Sequence, residues 1–368
     1  MRSNIGQITM YGDNYGALLQ AFALQMKLAE KKAPTDIILY NREGANGIKN
    51  NHFLLALKKY KLSTVLKYIF RYAVIKTKKD ACQEFRDLYL KFSELCYGAE
   101  HSLQELNNNY ERFICGSDMI WSEEFYDDWE FYYLGFAHPQ RSFAYAPSFG
   151  KNEIRKSYID YCNKLLSGIS RISCREKGGC QLIKNITGKE VPQVLDPTML
   201  LTKEDWSALI ANDDRIIKKT YVFSYVFGKH KNFSALTSKL DRIIGRVYRL
   251  PENSLEWLFS PLKKVGPIEY VHLFRDAEFI LTDTFHGMMF ALIFEKPFLV
   301  LEREDKSVWA RHSDRLTSTL DMLGLDERYV KDGFMDIELV EKLDYSAIRS
   351  IIDKKREESL EFLEEICL

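Results

Sequence analysis

The sequence lacks the features that mark membrane-spanning or nucleic-acid-binding proteins. Charge of one sign is not in excess, because 52 Lys and Arg residues are balanced by 52 Asp and Glu residues. The net charge of zero therefore gives no overall electrostatic attraction to nucleic acid. No apolar run approaches the roughly 20 residues that cross a bilayer, and the N-terminal residues MRSNIGQITMYGDNYG contain no apolar segment of signal-peptide length. We expect a cytoplasmic protein with no nucleic-acid partner.

Paired cysteines and clustered histidines are also missing. The chain has 7 cysteines, an odd number, and no two of them form a C-x-x-C pair. Its 7 histidines are dispersed without the spacing of metal ligands. These patterns disfavour a zinc site and a disulfide framework and favour a reducing compartment, so we expect no metal.

The beginning of the chain has the pattern of a parallel sheet. IGQITM (5–10) predicts a buried strand, ALLQAFALQMKLAEKK (17–32) has apolar residues at helical spacing, and TDIILY (35–40) predicts the next strand. A strand, a helix and a second strand form the opening unit of a doubly wound sheet.

Further segments repeat this pattern of a buried strand followed by a polar loop. In the first half they are RFICGSDMIW (112–121), RSFAYAPSFG (141–150), SRISCREKGG (170–179) and QVLDPTMLL (193–201). In the second half the strands are YVFSYVFG (221–228), GRVYRLP (245–251), EFILTD (278–283) and PFLVLER (297–303), with helices at 266–277 and 286–296. Ligands of open α/β sheets bind outside the carboxyl ends of the strands, so these loops should converge on one crevice.

The length of 368 residues and a hydrophobic content of 46% favour two domains. We predict an α/β protein with two Rossmann-like domains that face a central cleft. The N-terminal domain covers residues 1–205 with a basic helical insertion at about 49–90, the C-terminal domain covers 206–343, and an amphipathic helix at 344–368 packs back on the body.

His286 stands where a predicted strand meets a predicted helix. Backbone N–H groups at a helix N-terminus favour an anion, and a nearby anion favours a protonated imidazole. His286 is thus positioned to give a proton to a substrate that carries phosphate or carboxylate. The alternative is a histidine that caps the helix by bonding to Asp283 or to the backbone.

Several motifs together resemble those of the polysaccharide pyruvyl transferase family. In chain order they are NYGALLQAFALQ (14–25), CGSDMIW (115–121), AYAPSFG (144–150), ISCREKGG (172–179), LDPTMLL (195–201), VGPIEY (265–270) and TDTFHGMMFALIFEKPF (282–298). The resemblance implies a fold similar to GT-B glycosyltransferases. It also implies phosphoenolpyruvate as donor, with no further cofactor, and a sugar acceptor with two nearby hydroxyls in a surface-polysaccharide precursor. The product would be a cyclic pyruvate ketal.

Two other functions stay open. One is a GT-B-type glycosyltransferase that uses a nucleotide-sugar donor, and the other is a non-catalytic protein that binds a sugar or an anion. Release of phosphate from phosphoenolpyruvate distinguishes the first prediction from both alternatives.

The donor site is predicted around His286 as general acid and Arg175 as an anion clamp. The alternative for Arg175 is a surface ion pair with Glu176. Some members of the family carry an arginine two residues before the histidine, where this chain has Thr284. Arg303, Arg311 and Arg315 lie downstream and could supply the missing charge, as could Lys229 or His230. The predicted donor-binding residues are Thr284, Phe285, Gly287, Lys229, His230, Arg311 and Arg315.

The acceptor site is predicted in the loops of the first half. Its candidates are Asp13, Asn14, Tyr15, Gly16, Ser117, Asp118, Trp121, Tyr145 and Ser148. A tight turn at YGDNYG (11–16) and core positions for Trp121, Tyr145 and Ser148 are equally good interpretations. We interpret Asp196, which precedes Pro197, as part of a structural turn, and the alternative is a catalytic carboxylate.

The segment at residues 49–79 is basic, contains no acidic residue and is interleaved with large apolar residues. A basic amphipathic helix can lie on an anionic membrane surface, which would suit a lipid-linked acceptor at the inner face of the membrane. The alternative is a pair of domain helices with a solvated basic face.

Overall fold

The computed structural model describes most of the chain. The described residues are 3–41, 62–99, 101–123, 128–210, 216–251, 256, 259–304, 314–331 and 343–367.

The first half of the chain forms a six-stranded sheet in the order β3-β2-β1-β4-β5-β6, and every neighbouring pair is parallel. The strands are β1 (Ser3–Ile8), β2 (Thr35–Asn41), β3 (Phe92–Gly98), β4 (Tyr110–Cys115), β5 (Ser142–Ala144) and β6 (Arg171–Ile172). The helices are α1 (Tyr15–Glu30), α2 (Leu62–Tyr89), α3 (Leu106–Asn109), α4 (Trp129–Tyr132), α5 (Ile159–Ser167) and α6 (Lys177–Thr187). This strand order is that of dinucleotide-binding Rossmann sheets, in which the order reverses between β1 and β4.

The second half forms a five-stranded parallel sheet in the order β11-β10-β9-β7-β8. Its strands are β7 (Tyr221–Tyr225), β8 (Arg246–Arg249), β9 (Phe279–Thr282), β10 (Phe298–Leu301) and β11 (Tyr329–Val330). The helices of this half are α7 (Lys203–Leu209), α8 (Phe233–Ile243), α9 (Pro267–Asp276), α10 (Phe285–Ile293), α11 (Asp314–Leu323) and α12 (Tyr345–Cys367). Here the order reverses between β7 and β9, as in flavodoxin-like sheets.

Continuous apolar runs explain the central elements of the second half. All residues of β9 and all residues of α10 are buried. Parallel strands covered on both faces and helices buried on all sides read as unbroken hydrophobic segments. The run that flanks His286 is therefore a strand and a helix that pass through the core.

Aromatic side chains join the two halves in one hydrophobic cluster. The ring of Tyr15 at the start of α1 lies 5.2 Å from that of Tyr270 on α9, and the ring of Phe22 lies 6.0 Å from that of Trp206 on α7. Shared apolar packing of this kind fixes the relative position of the two sheets.

Helix α12 contacts both halves. Its first turns place Ile348 and Ile352 in the cluster that contains the second sheet, whereas Phe362 and Leu363 pack with residues of β1 and α1. The predicted α/β fold with two parallel sheets and a C-terminal helix is confirmed. The bounds of the predicted domains stay a prediction.

One predicted strand is wrong. QVLDPTMLL (193–201) contributes only a single bridge, between Gln193 and Cys174, and then a 3₁₀ turn at Pro197–Leu200. The reason is that Asp196 caps this turn with its side chain, which accepts a hydrogen bond from the backbone N–H of Thr198. The segment therefore leaves the sheet and runs toward the second half.

Candidate functional site

A cavity of about 340 Å³ lies at the carboxyl ends of both sheets. Its walls come from the end of β7, from the loops after β1, β4, β7, β9 and β10, and from helices α1, α2, α9, α10 and α11. The lining residues are Met10, Asn14, Gly16, Lys78, Asp118, Met119, Tyr225, Phe227, Tyr270, Thr284, Phe285, His286, Arg303 and Arg315. Loops after β1 and β4, and after β7 and β9, flank the points where the two strand orders reverse. The cavity thus occupies the place where open α/β sheets bind ligands.

His286 is held at the N-terminus of α10. The Thr284 hydroxyl caps this helix by accepting a hydrogen bond from the backbone N–H of Gly287 at 3.0 Å. The imidazole packs on Gly16 of the other half, where a Cβ atom would lie 2.2 Å from Nδ1 of His286. Only a glycine fits at residue 16 with the ring in this position.

The side chain of Asp196 faces the imidazole of His286 and does not itself line the cavity. Its Oδ2 atom lies 3.6 Å from Nε2 of His286, an ion-pair distance longer than a hydrogen bond, and 2.8 Å from Nη1 of Arg175. Oδ1 accepts hydrogen bonds from the N–H and the hydroxyl of Thr198, so the carboxylate is fixed. Burial alone would raise the pKa of Asp196, but the charges of His286 and Arg175 hold it well below its usual range.

The predicted structural turn at Asp196 is present, and the same side chain also faces the imidazole of His286. The alternative in which Asp283 caps His286 is not what the structure shows. The Asp283 carboxylate instead accepts from Arg303 at 2.8 Å and from the backbone N–H of Gly228 at 2.6 Å.

Arg175 is enclosed by carboxylates. It lies 2.9 Å from Glu176, 2.8 Å from Asp196 and 3.7 Å from Asp118, and its guanidinium carbon is 4.1 Å from the centre of the Phe285 ring. Burial alone would lower the pKa of Arg175, but these three carboxylates raise it. The predicted pair with Glu176 exists, although it is buried and not on the surface. Arg175 does not line the cavity, and its hydrogen bond to the carboxylate holds Asp196 in place.

Two arginines from the second half line the cavity. Arg303 forms two hydrogen bonds to Asp283, so its charge is compensated. Arg315 on α11 is 8% exposed, its Nη1 lies 3.1 Å from the sulfur of Met119, and its Nε has no hydrogen-bond partner. Burial, together with the charge of Arg175, lowers the pKa of Arg315 to about 10. A buried cation without a carboxylate partner is a place for an anion.

Lys78 on α2 is the third cation of the cavity wall. Its ammonium lies 4.8 Å from the centre of the Tyr15 ring, and no carboxylate among the described residues forms an ion pair with it. Burial lowers the pKa of Lys78. The sequence analysis missed this residue, because it lies in the basic segment at 49–79 that we considered for membrane contact.

The other predicted donor residues are dispersed. Thr284 and Phe285 line the cavity, whereas Gly287 packs against the hydroxyl of Thr282 and does not line it. The His230 imidazole lies between Glu302 and Asp283, outside the cavity lining. Lys229 is also absent from the lining. Arg311 lies outside the described residues.

Three predicted acceptor residues, Asn14, Gly16 and Asp118, line the cavity. Asp13 instead forms an ion pair with Arg86 at 3.0 Å. The Tyr15 hydroxyl donates to the carbonyl of Val265, so this side chain serves the contact between the halves.

The remaining predicted acceptor residues are part of the core. Trp121 stacks on Tyr133 and donates its indole N–H to a backbone carbonyl. Tyr145 and Ser148 are fully buried, and their hydroxyls bond to backbone groups. Ser117 is also buried and lies behind the cavity, with its hydroxyl 3.3 Å from Asp196.

Aromatic residues of the second half complete the cavity. Tyr225 is the last residue of β7, Phe227 follows the strand, and Tyr270 lies on α9. Sequence analysis did not find them because each belongs to an apolar run that predicts only a core strand or helix. Aromatic faces next to polar groups suit a sugar ring.

Only the described residues bear on the membrane and metal predictions. Among the described residues, no helix is long and apolar enough to cross a membrane. Residues 49–61 lie outside the described residues, so membrane contact through 49–79 stays a prediction. No group of three or more potential metal ligands occurs in the part that the structure describes.

Comparisons with known proteins give one family and several distant structures. A family model described as polysaccharide pyruvyl transferase matches residues 14–305. No curated protein sequence gives a significant match. Similar solved structures include Arabidopsis thaliana UGT89C1 complexed with UDP-L-rhamnose, at 11% identity over 100% of both chains with a TM-score of 0.43. UDP-GlcNAc 2-epimerase from Methanocaldococcus jannaschii is similar at 13% identity over 97% of this chain and 94% of that chain, with a TM-score of 0.45. These distant similarities say nothing about function.

Proposed function

Since the chain belongs to the polysaccharide pyruvyl transferase family, we propose that it moves the enolpyruvyl group of phosphoenolpyruvate onto two hydroxyls of a sugar in a surface-polysaccharide precursor. The observation that carries this proposal is that a histidine beside a carboxylate and a buried arginine without an ion-pair partner among the described residues share one cavity. His286 faces the carboxylate of Asp196 at 3.6 Å, and Arg315 has an unpartnered N–H in the same cavity. Phosphoenolpyruvate brings two anionic groups and a carbon that must be protonated.

The reaction needs one proton donor and two additions at one carbon. The methylene carbon of phosphoenolpyruvate takes a proton, and a sugar hydroxyl oxygen adds to the neighbouring carbon that carries the phosphate. Phosphate then leaves with the bonding electrons, and the second hydroxyl oxygen adds to the same carbon and closes the ketal. Of the two hydroxyl protons, one replaces the proton given to the methylene group and the other leaves with the phosphate.

His286 is the proton donor in this scheme. The ionised Asp196 attracts the protonated imidazole and holds its orientation, as the carboxylate does in other histidine–carboxylate pairs. The imidazole is 9% exposed, so a substrate in the cavity shields it from water. General acid catalysis by a positioned side chain contributes about 100- to 10,000-fold.

The leaving phosphate is assigned to Arg315 and the N-terminus of α10. Thr284 occupies the place of the arginine found in some family members and serves as the helix cap. Arg315 reaches the same region from α11, since its guanidinium carbon lies 5.9 Å from the centre of the Phe285 ring. An arginine and free backbone N–H groups are the usual partners of a phosphate.

The test is to measure phosphate release from phosphoenolpyruvate with a panel of sugars that have two nearby hydroxyls. His286→Gln, which keeps the size of the side chain, should abolish release while phosphoenolpyruvate still binds in calorimetry. His138→Gln is the control because His138 is exposed and does not line the cavity. Binding of a nucleotide sugar with no binding of phosphoenolpyruvate would replace this proposal with a glycosyltransferase. Binding of phosphoenolpyruvate without release for any acceptor would favour a non-catalytic anion-binding protein.

A further inference from the structure

Two cations of the cavity have no carboxylate partner among the described residues, and they come from different halves of the chain. Lys78 lies on α2, between β2 and β3 of the first sheet, and Arg315 lies on α11 of the second half. The other charged groups of the cavity have partners of opposite charge, including Asp118, which lies 3.7 Å from Arg175. Arg303 is bonded to Asp283, and His286 faces Asp196. A cavity lined by two cations that form no ion pair with a carboxylate of the described residues is suited to a ligand with two anionic groups.

The imidazole of His286 lies between the elements that carry these two cations. On one side, the Lys78 ammonium contacts the ring of Tyr15, and the next residue, Gly16, packs against the imidazole. On the other side, the ring of Phe285, which directly precedes His286, lies near the guanidinium of Arg315. Contacts therefore run from Lys78 through α1 to His286, and from His286 through the start of α10 to Arg315.

Phosphoenolpyruvate has the same order of groups, with its carboxylate and its phosphate on either side of the reacting carbon. We propose that Lys78 binds the carboxylate of the donor and that Lys78 and Arg315 together set the direction in which phosphoenolpyruvate lies over His286. This inference rests on the proposed function, because it names the residues that orient its donor.

The chemistry of the two cations decides which one binds the carboxylate and which one binds the phosphate. Lys78 stands at one end of the donor site and Arg315 at the other. The Arg315 end adds a planar fork of donors and the N-terminus of a nine-residue helix, α10, both of which suit a phosphate with several oxygens. The Lys78 end supplies one ammonium beside the Tyr15 ring. A single point charge is sufficient for a carboxylate. Exchange of the two groups would place the leaving phosphate at the end with fewer donors.

The experiment titrates three probes by calorimetry into the wild-type protein and its variants at low salt. The probes are phosphoenolpyruvate, pyruvate as the carboxylate alone, and inorganic phosphate. The variants are Lys78→Met, Lys78→Arg, Arg315→Met and Lys79→Met. Lys79 is the exposed neighbour of Lys78 on the same helix and serves as the matched control. Thermal unfolding of each variant shows whether it is folded.

Lys78→Met should weaken phosphoenolpyruvate about 10- to 100-fold, the effect of losing one hydrogen bond to a charged group. It should also abolish pyruvate binding and leave phosphate binding unchanged. Arg315→Met should abolish phosphate binding and leave pyruvate binding unchanged. Lys78→Arg should retain most of the affinity for phosphoenolpyruvate, and Lys79→Met should bind all three probes as the wild type does.

Three results would overturn the inference while the proposed function stands. They are wild-type affinity for phosphoenolpyruvate in Lys78→Met, equal losses for pyruvate and phosphate in that variant, and equal effects of Lys78→Met and Lys79→Met. Failure of the wild-type protein to bind phosphoenolpyruvate would instead overturn the proposed function together with this inference.

Discussion

The imidazole Nε2 of His286 and the carboxylate Oδ2 of Asp196 face each other at 3.6 Å across the boundary between the two halves. Asp196 follows the strands of the first sheet, whereas His286 begins a helix of the second. The site is therefore assembled only when the halves are packed together, and this contact gives the first prediction.

Asp196→Asn should lower the rate of phosphate release by at least about 100-fold, because the amide no longer attracts the protonated imidazole. The double variant Asp196→Asn/His286→Gln should be no slower than the worse single variant, since the two side chains act as one unit. The rates of the four proteins form a double-mutant cycle that measures this coupling. Additive losses would show that Asp196 does not act through His286.

Gly16→Ala should disturb the same histidine from the opposite side. The added Cβ would lie 2.2 Å from Nδ1 of His286, so the ring or helix α1 must move. Overpacking of this kind costs about 1–3 kcal/mol of unfolding free energy, and release should fall because the ring is displaced.

Gly12→Ala is the control in the same loop, because a Cβ atom at Gly12 would meet nothing within 4 Å. Urea unfolding and phosphate release of both variants test the prediction. Equal effects of the two alanines would mean that loop flexibility matters and that the contact with His286 does not.

Arg315→Met should increase the stability of the protein in the absence of ligand while it weakens donor binding. The folded pKa of about 10 lies below the usual value for arginine, so below that pH the folded state disfavours the charged form. The cost is at most on the order of 3 kcal/mol and is present at neutral pH. Urea unfolding at pH 7 with and without phosphate measures it. A variant less stable than the wild type would show that Arg315 is compensated in solution.

Asp196 should also govern stability in acid. Its pKa in the folded protein is held below the unfolded value, so its contribution is complete above an unfolded pKa of about 3.9 and is lost as the pH falls further. The unfolding free energy of Asp196→Asn should therefore depend less on pH in that range than that of the wild type.

Asp80→Asn is the matched control, because Asp80 is an exposed carboxylate paired with Lys76. Urea unfolding between pH 3 and pH 7 compares the three proteins. Parallel curves for wild type and Asp196→Asn would contradict the prediction.

Much of the fold was readable from local sequence patterns. The segments EFILTD (278–283) and HGMMFALIFEK (286–296) predict a strand and a helix, and both are present because full burial requires apolar residues at every position. The segment that contains Asp196 was wrongly predicted to be a strand of the sheet. Its apolar residues are buried against α1 and α12 and not in a sheet.

By itself, the sequence determined the α/β class, the order of most strands and helices, the family, and the position of His286 at the start of a helix. These properties depend on residues close together in the chain, whose periodicity and capping are local. Only the tertiary structure decided that Asp196 faces His286, that three carboxylates enclose Arg175, and that Lys78 turns toward the cavity. Each of these depends on how distant segments pack, and buried charges find their partners only when the packing brings them together.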